Sequence, residues 1–150
     1  MNEKTLMFEM ITPERVALSR TVDFVVLPAF EGEMGVLPGH EPFIVQLQPG
    51  ELRLIADAEL ISFSISGGFA EVLGDRVSVF AETAEMSSEI DEERAHQGLE
   101  KAKAALRAPK EGLLSVDQAA AMIKREAARL RVAELKRRRR PQGGRPFEGR

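Results

Sequence analysis

Glu31-Gly32-Glu33-Met34-Gly35-Val36-Leu37-Pro38-Gly39-His40 is the stretch on which the reading of this chain turns. Three glycines admit backbone angles closed to other residues and Pro38 fixes one more, so the spacing predicts a shaped turn that presents side chains. Glu31, Glu33, His40 and Glu41 are the polar groups it would present. On either side the apolar residues keep period two: Leu6, Phe8, Met10; Val16, Leu18; Val22, Phe24, Val26; Phe43, Val45, Leu47; Ile61, Phe63, Ile65; Val77, Val79. That alternation marks strands with one face buried. Punctuation at Thr12-Pro13, Pro49-Gly50, Asp57-Ala58, Gly67-Gly68 and Gly74-Asp75 sets the spacing of an all-β sandwich or flattened barrel. Leu73-Gly74-Asp75-Arg76 predicts a two-residue hairpin loop of the II′ type.

The period changes at Asp91. Ala95, Leu99, Ala102 and Leu106 fall on one helical stripe, and Asp91-Glu92-Glu93 supplies acids for its first turn. Pro109 and Gly112 end that helix. Ser115-Val116-Asp117-Gln118 is a capping box, after which Val116, Ala120, Ile123, Ala127 and Leu130 repeat the helical spacing to about Arg137. Two helices with alanine-rich faces and a short connection make an antiparallel two-helix hairpin. The division predicted is a β-sandwich domain over 1–88, a helical hairpin over 89–140 and a disordered Gly/Pro/Arg-rich tail over 141–150.

Charge follows the same division. Residues 1–90 hold 15 acids and 5 bases, a balance of −10, whereas residues 91–150 hold 9 acids and 16 bases, a balance of +7. With 43% apolar and 30% charged residues the chain can bury a core. No cysteine is present, which excludes disulfides and thiolate chemistry and favours the cytoplasmic side. The N-terminus has no signal-peptide core, and no run approaches the roughly 20 apolar residues that span a bilayer, so membrane association is expected only through partners.

Catalytic signatures are missing. There is no phosphate loop, no His-Glu-x-x-His, no Gly-x-Ser-x-Gly and no histidine pair spaced for a metal. Ser66-Gly67-Gly68 reads as a bend in a strand rather than a nucleophile turn. The basic run Lys136 to Arg140 admits three readings: a solvated helix end favoured by the macrodipole, a dock for an acidic protein, or a nucleic-acid contact. Missing interleaved aromatics and the acidic first domain argue against nucleic acid.

In that order, the elements resemble the epsilon subunit of bacterial rotary ATP synthases. The resemblance rests on Glu31 to His40, Pro49-Gly50, Ser66-Gly67-Gly68-Phe69-Ala70-Glu71-Val72, Ile90-Asp91-Glu92-Glu93-Arg94-Ala95, and Arg129-Leu130-Arg131-Val132-Ala133-Glu134-Leu135. It implies a non-catalytic, peripheral subunit on the cytoplasmic face of the bacterial inner membrane. Its sandwich would join the gamma subunit to the c-ring, with Glu31, Glu33 and His40 at the interface, coupling proton translocation to ATP synthesis. The hairpin would either fold onto the sandwich or extend into the catalytic alpha/beta hexamer and block hydrolysis, through Lys124, Arg125, Arg129 and Arg131.

Some members of that family bind a regulatory ATP in the folded-down state. The positions here that match are Glu85, Ile90, Asp91, Arg94 and Ala95, with Arg125 and Arg129 four apart on the second helix. Arginine forks suit phosphates, and Asp91 could read an adenine amino group or cap its helix. No other cofactor and no metal is implied. Two features depart from the family pattern: Gly98 interrupts the first helix, at a cost of about 1 kcal/mol relative to alanine, and the arginine-rich end runs past the usual terminus.

Overall fold

The computed structural model describes residues 4–108 and 114–139. Ten strands come first: β1 (Leu6–Ile11), β2 (Val16–Val22), β3 (Phe24–Ala29), β4 (Gly32–Val36), β5 (Phe43–Leu47), β6 (Gly50–Ala56), β7 (Glu59–Ile65), β8 (Gly68–Leu73), β9 (Arg76–Ala81) and β10 (Ala84–Met86). A 3₁₀ turn at Ser87–Glu89 leads into α1 (Glu92–Arg107) and α2 (Val116–Arg139). The architecture is the expected one, a β-sandwich followed by a two-helix hairpin. The expected terminators Pro109 and Gly112, the last residue of the basic run and the 141–150 tail lie outside the described residues.

The strands are hydrogen-bonded in the order β10-β7-β6-β3-β5-β8-β9-β1-β2, with β4 added to β3. Every pairing is antiparallel except β1 with β9, which is parallel. The sheet wraps around Leu6, Phe8, Met10, Leu27, Leu52, Leu54, Phe63, Ile65, Val72, Val77 and Val79, most of them fully buried. At about 25 cal/mol per Å² of apolar surface removed from water, this core is the main source of the sandwich's stability.

Two expected patterns are corrected. Val22, Phe24 and Val26 do not share a face, because the chain bends at Asp23 between β2 and β3. The bend is fixed by Asp23 N–H donating to the Ile55 carbonyl at 2.7 Å and by Asp57 N–H donating to the Asp23 carboxylate at 3.0 Å. Beyond it, Val25 and Leu27 enter the core instead. The glycine-rich stretch is likewise not one turn. Its tight turn is Phe30-Glu31, Gly32 (φ 126°) starts β4, and only Leu37 to His40 returns to loop.

The turns otherwise follow their residues. Gly74 sits at φ 60° and Asp75 is not left-handed, as a II′ loop requires. Asp57 and Ala58 are both left-handed, at φ 51° and 62°, without a glycine. Asp91 caps α1 by accepting the Arg94 N–H at 3.0 Å. Ser115 and Gln118 close the predicted capping box reciprocally: Gln118 N–H donates to Ser115 Oγ at 3.1 Å, and Ser115 N–H donates to Gln118 Oε1 at 3.0 Å.

The hairpin lies against the sandwich, with α2 packed on β6 and β7 as well as on α1. Two contact surfaces explain why the single predicted stripe on α2 was displaced. Val116 and Ala127 are exposed, whereas Ala119, Glu126, Ala128, Val132 and Ala133 are buried. Gly98 has a packing role: a Cβ there would meet Glu126 Cδ at 3.1 Å, so glycine lets a buried carboxylate lie on the backbone of α1.

Candidate functional site

A cleft of about 720 Å³ opens between the sandwich and the hairpin. Its sandwich wall comes from Ser64, Ser66, Thr83 and Glu85; α1 adds Arg94, Gln97, Gly98 and Lys101, and α2 adds Met122, Arg125, Glu126 and Arg129. Four cations therefore face two carboxylates, with hydroxyl groups around them, a lining suited to an anion that also carries hydrogen-bonding groups.

Arg129 organises the cleft floor. Its Nε and Nη2 donate to the two carboxylate oxygens of Glu85 at 2.8 and 3.1 Å, and its Nη1 donates to Glu126 at 2.8 Å. Its pKa is raised, chiefly by the Glu85 hydrogen bonds, with burial acting against them and Glu126 adding to them. Arg94 projects from the first turn of α1, the position set by the Asp91 cap. Lys101 lies seven residues further along, two helical turns up the same face.

Of the residues matched to a nucleotide site, Glu85, Arg94, Arg125 and Arg129 meet in this cleft. Ile90, Asp91 and Ala95 do not line it: Asp91 is occupied as the helix cap, and Ala95 is fully buried. Ser64, Gln97 and Lys101 were not singled out from sequence. For Gln97 and Lys101 the signal was present, since both share a helical face with Arg94.

The four cations assigned to an extended contact differ in this arrangement. Lys124, Arg125 and Arg131 are exposed, whereas Arg129 is engaged by Glu85 and Glu126. Sequence reasoning also missed the clamp at the far end of α2. Arg139 donates from Nη1 and Nη2 to the buried carboxylate of Glu51 on β6, at 2.7 and 2.8 Å, and Arg137 pairs with Glu92 of α1 at 2.7 Å. Arg138 pairs with Glu134 as well, so Arg137, Arg138 and Arg139 of the basic run are each engaged.

At the other candidate surface, Glu31 is exposed in the β3–β4 turn and Glu33 stands on β4. Glu33 is held by both Nη atoms of Arg53, at 2.7 and 2.9 Å, and these hydrogen bonds lower its pKa against a smaller opposing effect of burial. His40 belongs to a different loop, past the other end of β4. Its Nδ1 lies 2.8 Å from the Glu41 carbonyl oxygen and its ring rests 4.8 Å from that of Phe43. Gly39 N–H donates to the Asp75 carboxylate at 3.2 Å, tying this loop to the β8–β9 turn. The three residues thus fall on a turn, a strand and a second loop rather than in the single turn expected. Among the described residues no acidic or histidine cluster is arranged to hold a metal, and no helix is long and apolar enough to cross a membrane.

Residues 5–87 match the family model of the ATP synthase delta/epsilon chain β-sandwich domain. The ATP synthase epsilon chain of Herpetosiphon aurantiacus is 43% identical over 134 residues, covering 89% of this chain and 98% of that one. That of Syntrophobacter fumaroxidans is 46% identical over 126 residues, covering 84% and 93%. Among solved structures, a chain of the Euglena gracilis mitochondrial ATP synthase (OSCP/F1/c-ring) superposes with a TM-score of 0.72 at 30% identity, over 87% of this chain and 81% of that one. A chain of the Tetrahymena thermophila mitochondrial ATP synthase central stalk and c-ring shares the fold, with a TM-score of 0.58 at 15% identity, over 91% and 98%. Sandwich, hairpin and near full-length similarity together make this chain a member of the ATP synthase epsilon chain family, a non-catalytic subunit rather than an enzyme in its own right.

Proposed function

We propose that this subunit works in the central stalk, joining the gamma subunit to the c-ring so that proton translocation is coupled to ATP synthesis, and that its hairpin restrains ATP hydrolysis when it extends. The observation that carries the reading is the manner in which the hairpin is docked. Bidentate ion pairs, Arg129 with Glu85 and Arg139 with Glu51, hold it to the sandwich, and the apolar residues that the two helices bury are small, alanines and Val132. Docking by charge rather than by a large apolar seam gives an element that can leave and return.

Each surface has an assigned partner. Ile44, Phe69 and Leu73 are 71%, 46% and 61% exposed on the outer face of β5 and β8, where Phe80 stacks on Phe69. This apolar face suits gamma. Glu31, Glu33 and His40 face the polar loops of the ring, where carboxylates set register more than affinity. Lys124, Arg125 and Arg131, exposed on the docked hairpin, are available to acidic loops of the alpha/beta hexamer, and Arg129 joins them once it releases Glu85. The subunit is peripheral, on the cytoplasmic face of the membrane through these partners.

Within this reading the cleft holds a regulatory ATP. Phosphates would meet Arg94, Lys101 and Arg125, bridging α1 and α2 in their docked arrangement, so the ligand stabilises the folded-down state without being turned over. Truncation after Ile90 tests the whole assignment. The shortened protein should assemble and sustain coupled synthesis while hydrolysis rises; failure to assemble would make the hairpin a structural part and sink the regulatory role. Glu31→Lys should uncouple proton flow with the Glu33–Arg53 pair left in place.

A further inference from the structure

Glu51 on β6 is a buried carboxylate, its side chain 5% exposed, and two guanidinium groups reach it. Arg139 grips it from the end of α2. Arg53, two residues along the same strand and on the same face, places Nη1 3.0 Å from Glu51 Oε1. Arg53 is also shared. The same Nη1 donates to Glu33 Oε1 at 2.7 Å, and Nη2 donates to Glu33 Oε2 at 2.9 Å. The four side chains form one line of alternating charge, Glu33–Arg53–Glu51–Arg139, from β4 to the hairpin's end. Glu33 is its open end, 58% exposed against 21% for Arg53.

We propose that this line couples the occupancy of Glu33 to the hold on α2, so that a cationic group docking on Glu33 loosens the hairpin. A buried carboxylate needs its hydrogen bonds filled. While Glu33 holds both Nη atoms of Arg53, Glu51 receives from Arg53 only the shared Nη1 at 3.0 Å and takes its two shorter hydrogen bonds from Arg139, which fastens the end of α2. When an external cation takes Glu33, the Arg53 fork turns fully to Glu51 and Arg139 becomes dispensable. The coupling is reciprocal: a fastened hairpin keeps Arg53 with Glu33 and lowers the affinity of Glu33 for a partner's cation. The inference rests on the proposed mobility of the hairpin and adds a residue path by which the foot of the subunit would control it.

The test uses the full chain, whose lack of cysteine allows clean double labelling at Glu59→Cys and Arg138→Cys. Spin-label distance distributions give the docked and undocked fractions of α2, and circular dichroism checks that each variant folds. Glu33→Gln frees Arg53 for Glu51 and should raise the undocked-to-docked ratio by about fivefold, the low end of coupling between sites. Arg53→Gln leaves Arg139 as the partner of Glu51 and should lower the ratio. In an Arg139→Gln background, Glu33→Gln should have no further effect. Opposite signs in the two single variants support the relay. Shifts of the same sign, or an undiminished Glu33→Gln effect without Arg139, overturn it while leaving hairpin mobility intact; an α2 that never undocks in any variant overturns both.

Discussion

Arg129 of α2 and Glu85 of β10, separated by 44 positions in sequence, meet through two parallel hydrogen bonds at 2.8 and 3.1 Å. Their side chains are 18% and 28% exposed, so the pair is largely out of water, where charged hydrogen bonds are worth more than at the surface. Since Arg129 also holds Glu126, its removal leaves Glu85 unpaired and Glu126 with only the longer contact to Arg125 at 3.5 Å. Arg129→Ala should cost about 2 kcal/mol of hairpin docking. Hydrogen exchange would show faster opening of α2, with the protection of β8 and β9 unchanged.

Arg94 and Lys101 line the same cleft from one face of α1. If the cleft takes ATP, Arg94→Ala and Lys101→Ala should each weaken binding by about tenfold, the worth of one charged hydrogen bond. Calorimetric titration of the isolated subunit measures this. Saturable binding absent below millimolar concentrations in the unaltered chain would remove the nucleotide from the account.

Ala58 holds φ 62° in the β6–β7 turn, a conformation that crowds its Cβ against the following carbonyl. Ala58→Gly should stabilise the sandwich by about 1 kcal/mol. Urea denaturation should show a higher midpoint at unchanged slope.

Glu33 titrates below its ordinary range because Arg53 donates to it. A depressed folded-state pKa contributes stability that is fully present above the unfolded value of 4.5 and is lost as pH falls through the folded one. The contribution is small at so exposed a site. NMR titration of the Glu33 carboxyl should give a midpoint below 4.5, and Arg53→Gln should return it toward 4.5.

What the sequence made legible was whatever local chemistry controls. Leu6, Phe8 and Met10 alternate because β1 has one buried face, and Ser115 with Gln118 announces α2 four residues at a time. Errors arose where a second surface intervened. Val22, Phe24 and Val26 keep period two across a bend that Asp57 and Ile55 impose from another strand pair. The stripe on α2 fails because that helix answers to α1 and to β6–β7 at once. Of the candidate sites, the cleft residues on α1 and α2 could be grouped from helical spacing, whereas Arg139 and Glu51, 88 positions apart, carry no local sign of their contact.

The surface that α2 covers on β6 and β7 is built from paired polar rows: Glu51 opposite Ser64, and Arg53 opposite Ser62. A helix lifting from such a floor uncovers hydroxyls, carboxylates and a guanidinium, all of which water solvates at once. The apolar groups uncovered with them, Ala128 and Val132 on the helix, are small. If the hairpin undocks as proposed, such a floor can be wetted and dried repeatedly without becoming a site of aggregation.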